Sequence, residues 1–263
     1  MTDDSGAVSI AALHYERADD AATNRERLLG GLERALVDED ADVAVGPETA
    51  TTNTGRPTAE IREQAEPVDG PTVRQAQNVV EAAGGVAVFG LAERDGRERY
   101  NAAVVLERGR EPRVRRQVGA EGAPGHGWVT DHGDVRTFET GVGTLAPVVC
   151  AELLFERPDV QATIRAGGAD LVAVPSTWRD PPPAVLREHG VEPGEVVPIR
   201  EKWTAAAGRL GCPVAVGNVH RPAELSVTDD YDLDGPAAVL TPDGVVAERS
   251  TPGIACATVT RCG

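Results

Sequence analysis

Short apolar runs that recur along the chain constrain its fold more than any other feature. The clearest are DVAVGPE, GVAVFGLAE, NAAVVLE, GTLAPVVC, DLVAVPS and PVAVGNVH, each of strand length and bounded by Gly, Pro or Asp. Several are apolar throughout, which is typical of strands covered on both faces, whereas a strand with one face in water alternates. The runs therefore predict a sheet buried beneath other layers.

Helical patterns separate several of these runs. They are predicted at 19–38, 71–83, 157–167 and 197–210. The first opens on two aspartates that can cap a helix, and the second has proline in its first turn. The runs at 85–93 and 101–107 predict a hairpin across ERDGRERY. The pattern predicts an α/β fold in a single domain, residues 1–263, with a long Pro- and Gly-rich loop at 178–195 of the kind that often carries function.

The charge balance limits the classes of partner. The chain has 42 acidic and 26 basic residues and a net charge of −16, so its surface repels nucleic acid and anionic membranes. Lys202 is the only lysine, which together with the abundant acid suggests a salt-adapted, halophilic source. No apolar run approaches the ~18 residues of a membrane span, and the N-terminus lacks the pattern of a signal peptide. The lack of a membrane span and of a signal-peptide pattern predicts a soluble, cytoplasmic protein.

Motifs for metals and cofactors are missing from the sequence. None of the four cysteines forms C-x-x-C, and no Cys/His group has zinc-ligand spacing. There is no H-E-x-x-H, no G-x-G-x-x-G after a strand and no G-K-[ST] phosphate loop. We therefore expect no cofactor and no metal, and chemistry carried by side chains alone.

Two side chains stand at the ends of apolar strands. Cys150 ends VVC before a helical segment, a junction that can expose a nucleophile and leave the N–H of Ala151 free to bind an oxyanion. Glu48 follows VAVGP in the same way. The residues alone leave other interpretations open, since cysteine is commonly buried in a core and a loop carboxylate commonly caps a helix or faces solvent.

A series of motifs, in order, resembles one known family. They are DVAVGPETATTNTG, EPVDGPTVRQAQNVVEAAG, VAVFGLAERDGRERYNAAVVLERG, GVGTLAPVVCAELLFERPDV, ADLVAVPSTW, VAVGNVH and GPAAVLTPDGVVAE. From about residue 7 to the C-terminus the chain resembles the nitrilase superfamily, the carbon–nitrogen hydrolases. The resemblance implies a four-layer α-β-β-α sandwich and a Glu–Lys–Cys catalytic triad. Glu48 matches the glutamate and Cys150 the nucleophile.

The lysine of that triad has no direct match. Arg116, in EPRVRRQVGAEG, stands where the family has its lysine. An arginine supplies positive charge but cannot pass a proton to a leaving amine. Three interpretations follow: Arg116 substitutes for the lysine, Lys202 reaches the site instead, or the triad is incomplete and the protein is a binding or regulatory relative.

Other site residues follow from the resemblance and from loop position. Glu121 and His126 are the nearest counterparts of a further family glutamate, although both also fit exposed loop residues. Thr177 and Trp178 follow the strand LVAVPS and are expected to border the pocket, because loops after strand ends line sites in layered α/β folds.

The resemblance implies a cysteine-dependent hydrolase that cleaves a small, non-peptide amide through a thioester. The alternatives are a non-catalytic binding or regulatory protein and an N-acyltransferase that passes the same thioester to an amine or hydroxyl acceptor. A cysteine–histidine glutaminase of another fold fits less well. Its elbow usually has glycine two residues on either side of the cysteine, where this chain has Val148 and Glu152.

Assembly is the first testable prediction. The family commonly pairs subunits, and copies with a net charge of −16 repel one another at low salt. We therefore expect a homo-oligomer, a dimer or larger, whose association strengthens as salt rises. Sedimentation velocity across a salt series measures this, and a monomer at every salt concentration would contradict it.

Overall fold

A computed structural model describes residues 6–52, 63–118, 128, 135–154, 158–178, 187, 197–221 and 233–262. The strands are β1 Ala7–Glu16, β2 Val43–Val45, β3 Val86–Asp95, β4 Glu98–Glu107, β5 Arg113–Arg116, β6 Phe138–Thr140, β7 Gly143–Pro147, β8 Leu171–Pro175, β9 Val214–Arg221, β10 Leu233–Asp234, β11 Ala237–Thr241, β12 Gly244–Arg249 and β13 Gly253–Thr260. The helices are α1 Ala21–Glu33, continued by a π-helical turn Arg34–Asp38, α2 Pro71–Ala83, α3 Ala151–Leu154, α4 Pro158–Ala166 and α5 Ile199–Leu210.

The strands form a curled sheet with two halves that β1 and β9 join. Its main order is β5-β4-β3-β2-β1-β9-β8-β7-β6, with β13 beside β1 and with β11 between β9 and β12. Strands β1, β2 and β3 run parallel to one another, as do β7, β8 and β9, and β9 is also parallel to β1. Their carboxyl ends therefore meet at one edge of the molecule.

Alternation along each strand sends side chains into two different cores. In β1, Ile10 and Ala12 lie in a core between the two halves of the sheet, together with Val88 of β3 and Val239 of β11. Because successive side chains of a strand point to opposite faces, Leu13 lies in a separate core on the outer face. The apolar runs of the sequence are thus strands that are buried on both sides.

Helices cover both outer faces of the curled sheet. Leu28 and Leu32 of α1 and Val80 of α2 pack with Phe89 of β3. On the other half, Trp203 of α5 lies fully buried in a core formed with α4, β8, β9 and β11. The order helix, sheet, sheet, helix confirms the expected four-layer α-β-β-α sandwich.

The helix boundaries follow local signals that are visible in the sequence. The side chain of Asp20 caps α1 by accepting a hydrogen bond from the N–H of Thr23 at 2.8 Å. Pro71 starts α2, and Gly211 ends α5 in the left-handed conformation.

Each predicted helix is present, within a few residues of its predicted ends. The hairpin is also present, although its turn is shorter than predicted, because strand pairing continues to Asp95 opposite Glu98.

Glycines permit close backbone contacts at the edge where the parallel strands end. A Cβ on Gly217 of β9 would overlap the carbonyl oxygens of Val45 and Gly46. A Cβ on Gly90 of β3 would overlap the backbone of Glu48 and Thr49. The turn after β2 can therefore lie directly against its neighbours only because these positions carry no side chain.

In the part of the chain described, no helix is long and apolar enough to cross a membrane.

Gly90→Ala tests this close contact. The added methyl group must displace the Glu48 turn, so we expect a loss of about 1–3 kcal/mol in the free energy of unfolding, as for other overpacked sites. Gly30→Ala in α1 is the matched control, because nothing lies within 4 Å of its Cβ position. In a helix it should be neutral or stabilise by up to ~1 kcal/mol. Urea unfolding measures both, and equal midpoints would contradict the prediction.

Candidate active site

Cys150 lies on a tight turn between β7 and α3. Its φ of +39° is in the left-handed region, which non-glycine residues rarely adopt. The turn is fixed by a hydrogen bond from the Cys150 N–H to the carbonyl of Pro175 at 3.0 Å. The thiol Sγ lies 3.4 Å from the Ser176 hydroxyl, and the residue is buried. Among the described residues, the N–H of Ala151 donates no hydrogen bond, so it is available to a ligand.

Glu48 lies on the turn after β2, next to the end of β8. Its carboxylate accepts hydrogen bonds of 2.6 Å from the Asn101 amide and from the Thr177 hydroxyl. Its backbone N–H donates to the carbonyl of Ser176 at 3.2 Å. The next residue, Thr49, also has a φ of +39°. The carboxylate is therefore held in one orientation by neutral donors from β4 and from the segment after β8.

The structure brings the Cys150 thiol and the Glu48 carboxylate together. Burial raises the pKa of the Cys150 thiol well above its usual value, and the negative charge of the nearby Glu48 carboxylate raises it further. Hydrogen bonds from the Ser176 hydroxyl and from the N–H of Thr177 lower it again. At neutral pH the cysteine is thus a protonated thiol beside a carboxylate that can take its proton.

A buried arginine supports the Glu48 turn from behind. Arg17, which is fully buried, donates from its guanidinium to the carbonyl of Glu48 at 2.8 Å and to the carbonyl of Thr52 at 2.6 Å. The Tyr15 hydroxyl donates to the carbonyl of Ala50 at 2.6 Å. Both donors come from the end of β1, so the first strand fixes the position of the turn.

A second buried arginine lies near the cysteine turn. Arg115 of β5 forms a two-pronged ion pair with Glu152, in the first turn of α3. The carboxylate of Glu152 also accepts the N–H of Val149 and the N–H of Val118, each at 2.7 Å. On β4, opposite Arg115, Ala103 packs with Val149 and Cys150.

Arg116, which the sequence analysis offered as a substitute for the lysine of the triad, does not lie beside Cys150 in the structure. Its guanidinium binds the carboxylates of Glu93 and Asp95 at 2.6–2.8 Å and lies over the Tyr100 ring at 3.8 Å. It lines a cleft of about 860 Å³ beside α2, on the outer side of the sheet. Because neighbouring strand residues face opposite ways, Arg115 turns toward the site and Arg116 away from it.

The remaining predicted residues have different outcomes. Thr177 binds Glu48, and Trp178 packs against the group that contains Cys150. Lys202 lies half-buried on α5, and no contact joins its side chain to Glu48 or Cys150 in the described ranges. Glu121 and His126 lie outside the described residues.

Sequence reasoning missed several residues that the structure brings to the site. These residues are Arg115, Ser176, Asn101 and Gln117. The side-chain amide of Asn101, which also binds Glu48, donates a 3.1 Å hydrogen bond to the amide oxygen of Gln117. A sequence signal for Arg115 was present: the apolar Val114 in RVRR is expected to face the helices, as it does, so its neighbours Arg113 and Arg115 are expected to face the other way. Asn101 carries no such signal, because an Asn at the start of a strand is also typical of a turn.

Within the described ranges, no group of three or more His, Cys, Asp or Glu side chains could hold a metal ion. The chemistry that this arrangement can support is proton transfer and nucleophilic attack. A thiol, a carboxylate that can accept its proton, and a free N–H on the following residue are the parts that acyl transfer through a thioester requires.

Comparisons with known proteins give a consistent result. A sequence model of the carbon-nitrogen hydrolase family matches residues 8–259. A comparison with curated proteins gave no match. Among solved structures, Saccharomyces cerevisiae Nit3, a member of branch 10 of the nitrilase superfamily, is similar with a TM-score of 0.76 and 18% identity, over 97% of this chain and 90% of Nit3.

Amidase structures from Nesterenkonia sp. AN1 are also similar. A Cys-to-Ala variant in complex with butyramide has a TM-score of 0.73 and 21% identity, over 96% of this chain and 91% of the amidase. A Glu-to-Gln variant that carries the acetamide moiety of fluoroacetamide on its active-site cysteine has a TM-score of 0.75 and 19% identity, over 99% and 93%. These identities are low and show a shared fold. The family match spans nearly the whole chain, which therefore belongs to the carbon-nitrogen hydrolase family.

Proposed function

We propose that the protein is a cysteine-dependent hydrolase of small, non-peptide amides, with Cys150 as nucleophile and Glu48 as general base. The observation that carries the proposal is that Ser176 and Thr177, which are consecutive in the chain, contact the Cys150 thiol and the Glu48 carboxylate respectively at the joined ends of β2, β7 and β8. A cysteine that only filled the core would gain nothing from a neighbouring carboxylate, so the arrangement favours a reactive thiol. The similar amidases, which have an active-site cysteine, support the same reaction class.

The first half of the proposed reaction forms a thioester. As Sγ of Cys150 attacks the amide carbon, its proton passes to the Glu48 carboxylate and the carbonyl becomes an oxyanion, which the Ala151 N–H accommodates. The C–N bond then breaks, and the leaving nitrogen takes the proton from Glu48. The Ser176 hydroxyl accepts the N–H of Trp178 at 3.1 Å, so its own proton can point to Sγ and stabilise the developing thiolate.

The second half consumes one water. Glu48 takes a proton from the water as its oxygen attacks the thioester carbon, the C–S bond breaks, and the proton returns to Sγ. The products are a carboxylic acid and ammonia or an amine. If an amine or hydroxyl compound replaces water, the same thioester gives an N-acyltransferase, so the choice of acceptor separates these two functions.

One observation favours the binding or regulatory alternative. Among the described residues, the side chains that donate hydrogen bonds to the Glu48 carboxylate are the neutral ones of Asn101 and Thr177, whereas the resemblance to the family implies a lysine in the triad. Loss of one well-placed oxyanion donor slows chemistry by ~10²–10³. We therefore expect slow turnover, best with amides that have good leaving groups.

Substitutions at four positions test the proposal. With butyramide as substrate and released ammonia as the measurement, Cys150→Ala should abolish turnover. Glu48→Gln should lower kcat by ~10²–10⁴, as for loss of a general base. Arg116→Ala should retain kcat within about threefold, because a partly exposed ion pair contributes little. Lys202→Ala should behave like Arg116→Ala.

The outcomes separate the alternatives. Loss of turnover in Arg116→Ala with normal folding would restore the sequence-based assignment of Arg116. If the native protein releases no ammonia from any small amide, but butyramide still protects Cys150 from alkylation, the binding function replaces the hydrolase. If product forms only when hydroxylamine is present, the protein is an acyltransferase.

The pKa of Cys150 gives an independent prediction. Because the charge of Glu48 is one cause of the raised pKa, Glu48→Gln should lower it, and the thiolate should form at lower pH than in the native protein. The rate of iodoacetamide incorporation at Cys150 should then rise at lower pH in Glu48→Gln. Peptide mass spectrometry across a pH series locates the adduct, with Cys150→Ala as the control for the other cysteines. A profile that is unchanged, or moved to higher pH, would contradict the effect of the Glu48 charge on the thiol.

A further inference from the structure

We propose that Arg115 and Glu152 are positioning residues for the nucleophile. Their buried ion pair holds the turn that presents the Cys150 thiol to the substrate. The proposal rests on the proposed function only for its turnover measurement, because the reactivity of the thiol can be measured without any amide hydrolysis.

The ion pair is deeply buried and has a fixed geometry. Nη2 of Arg115 donates to Oε1 of Glu152 at 2.5 Å, and Nη1 donates to Oε2. The two side chains are 2% and 1% exposed. A two-pronged contact between a planar guanidinium and a carboxylate defines orientation as well as distance.

The carboxylate of Glu152 connects two backbone segments. Oε2 accepts the N–H of Val149, the residue immediately before Cys150, and Oε1 accepts the N–H of Val118, just after β5. The chain must therefore turn back at Cys150, where φ is +39°. A left-handed φ at a non-glycine residue is strained and persists only where surrounding contacts hold it. Glu152 supplies such contacts on one side of the cysteine, and the Pro175 carbonyl supplies another.

The charge of the pair argues for positioning instead of direct oxyanion binding. Arg115 lies on β5, the strand where the resemblance places the cation of the triad. It pairs with Ala103 of β4, which packs with Cys150, so Arg115 lies on the face of the sheet nearest the thiol. The Glu152 carboxylate balances that charge at hydrogen-bond distance, so the pair presents little net positive potential to a substrate. One feature supports the other role: Nε of Arg115 is buried without an acceptor among the described residues. The experiment must therefore distinguish the two.

Two measurements on the same variants do so. The first is kcat and KM for butyramide, and the second is the rate of Cys150 alkylation by iodoacetamide. Alkylation needs a correctly placed thiol but generates no oxyanion. We expect Arg115→Met and Glu152→Gln each to slow alkylation about tenfold or more and to lower kcat in parallel, with KM nearly unchanged. The double variant should recover part of the alkylation rate, because no buried charge is left unpaired.

Controls keep the result interpretable. Arg113→Met removes another Arg–Glu pair on β5, with Glu107, and should leave both measurements unchanged. Circular dichroism and thermal unfolding show which variants fold. Arg115→Lys keeps the buried charge but not the two-pronged contact, so it serves if Arg115→Met does not fold. We expect it to slow alkylation several-fold.

Two outcomes overturn the proposal. If Arg115→Met or Arg115→Lys lowers kcat about a hundredfold while alkylation is unchanged, Arg115 acts on the oxyanion directly. If folded variants at Arg115 and Glu152 alter neither measurement, the pair has no role at the site. If the native protein hydrolyses no amide but alkylation still responds as expected, the positioning role stands and the hydrolase proposal fails.

Discussion

The closeness of the two halves of the curled sheet at Gly217 is the constraint on which the site depends. Strand β9 pairs with β8 and β11 up to this residue and then with β1 beyond it, so it passes from one half to the other. The carbonyl of Gly217 accepts the N–H of Ser176, and the carbonyl of Ser176 accepts the N–H of Glu48. This chain of backbone hydrogen bonds sets the ends of β2 and β8 side by side. Glu48 and Cys150 are far apart in sequence, and they lie close together because hydrogen bonds join the backbone segments that carry them.

The proposed reaction moves one proton between the Cys150 thiol and the Glu48 carboxylate. Burial favours the neutral thiol, and the adjacent negative carboxylate favours it further, so the resting pair is a thiol and a carboxylate. Neutral donors from Asn101 and Thr177 hold that carboxylate without neutralising it. In the part of the chain that the structure describes, no charged side chain donates to this carboxylate, and the proposal of slow turnover rests on that feature.

The fold could be predicted from the sequence because its signals are local or are repeated along the chain. Apolar runs of strand length, the Asp20 cap and Pro71 each have a direct physical consequence, and the structure confirms the four layers that the resemblance implies. The site could be predicted only in part. Glu48 and Cys150 end strands and carry reactive groups, whereas the direction of the arginines on β5 depends on strand register. A shift of one residue moves a side chain to the other face, so the motif order that pointed to Arg116 could not separate it from Arg115.

The turns at Glu48 and Cys150 have a common feature that the sequence did not reveal. Each has a residue with a φ of +39°, Thr49 in one and Cys150 in the other, and each is held by a buried arginine. Arg17 binds the carbonyls of the first turn directly, while Arg115 acts on the second through Glu152, because the groups to be held there are N–H donors that need an acceptor. Guanidinium groups suit this task, since they stay charged when buried and bind two acceptors at fixed angles. Under the proposed function, Arg17 and Arg115 order the backbone around the reacting groups, and the hydrogen bonds that each guanidinium makes offset part of the cost of burying its charge.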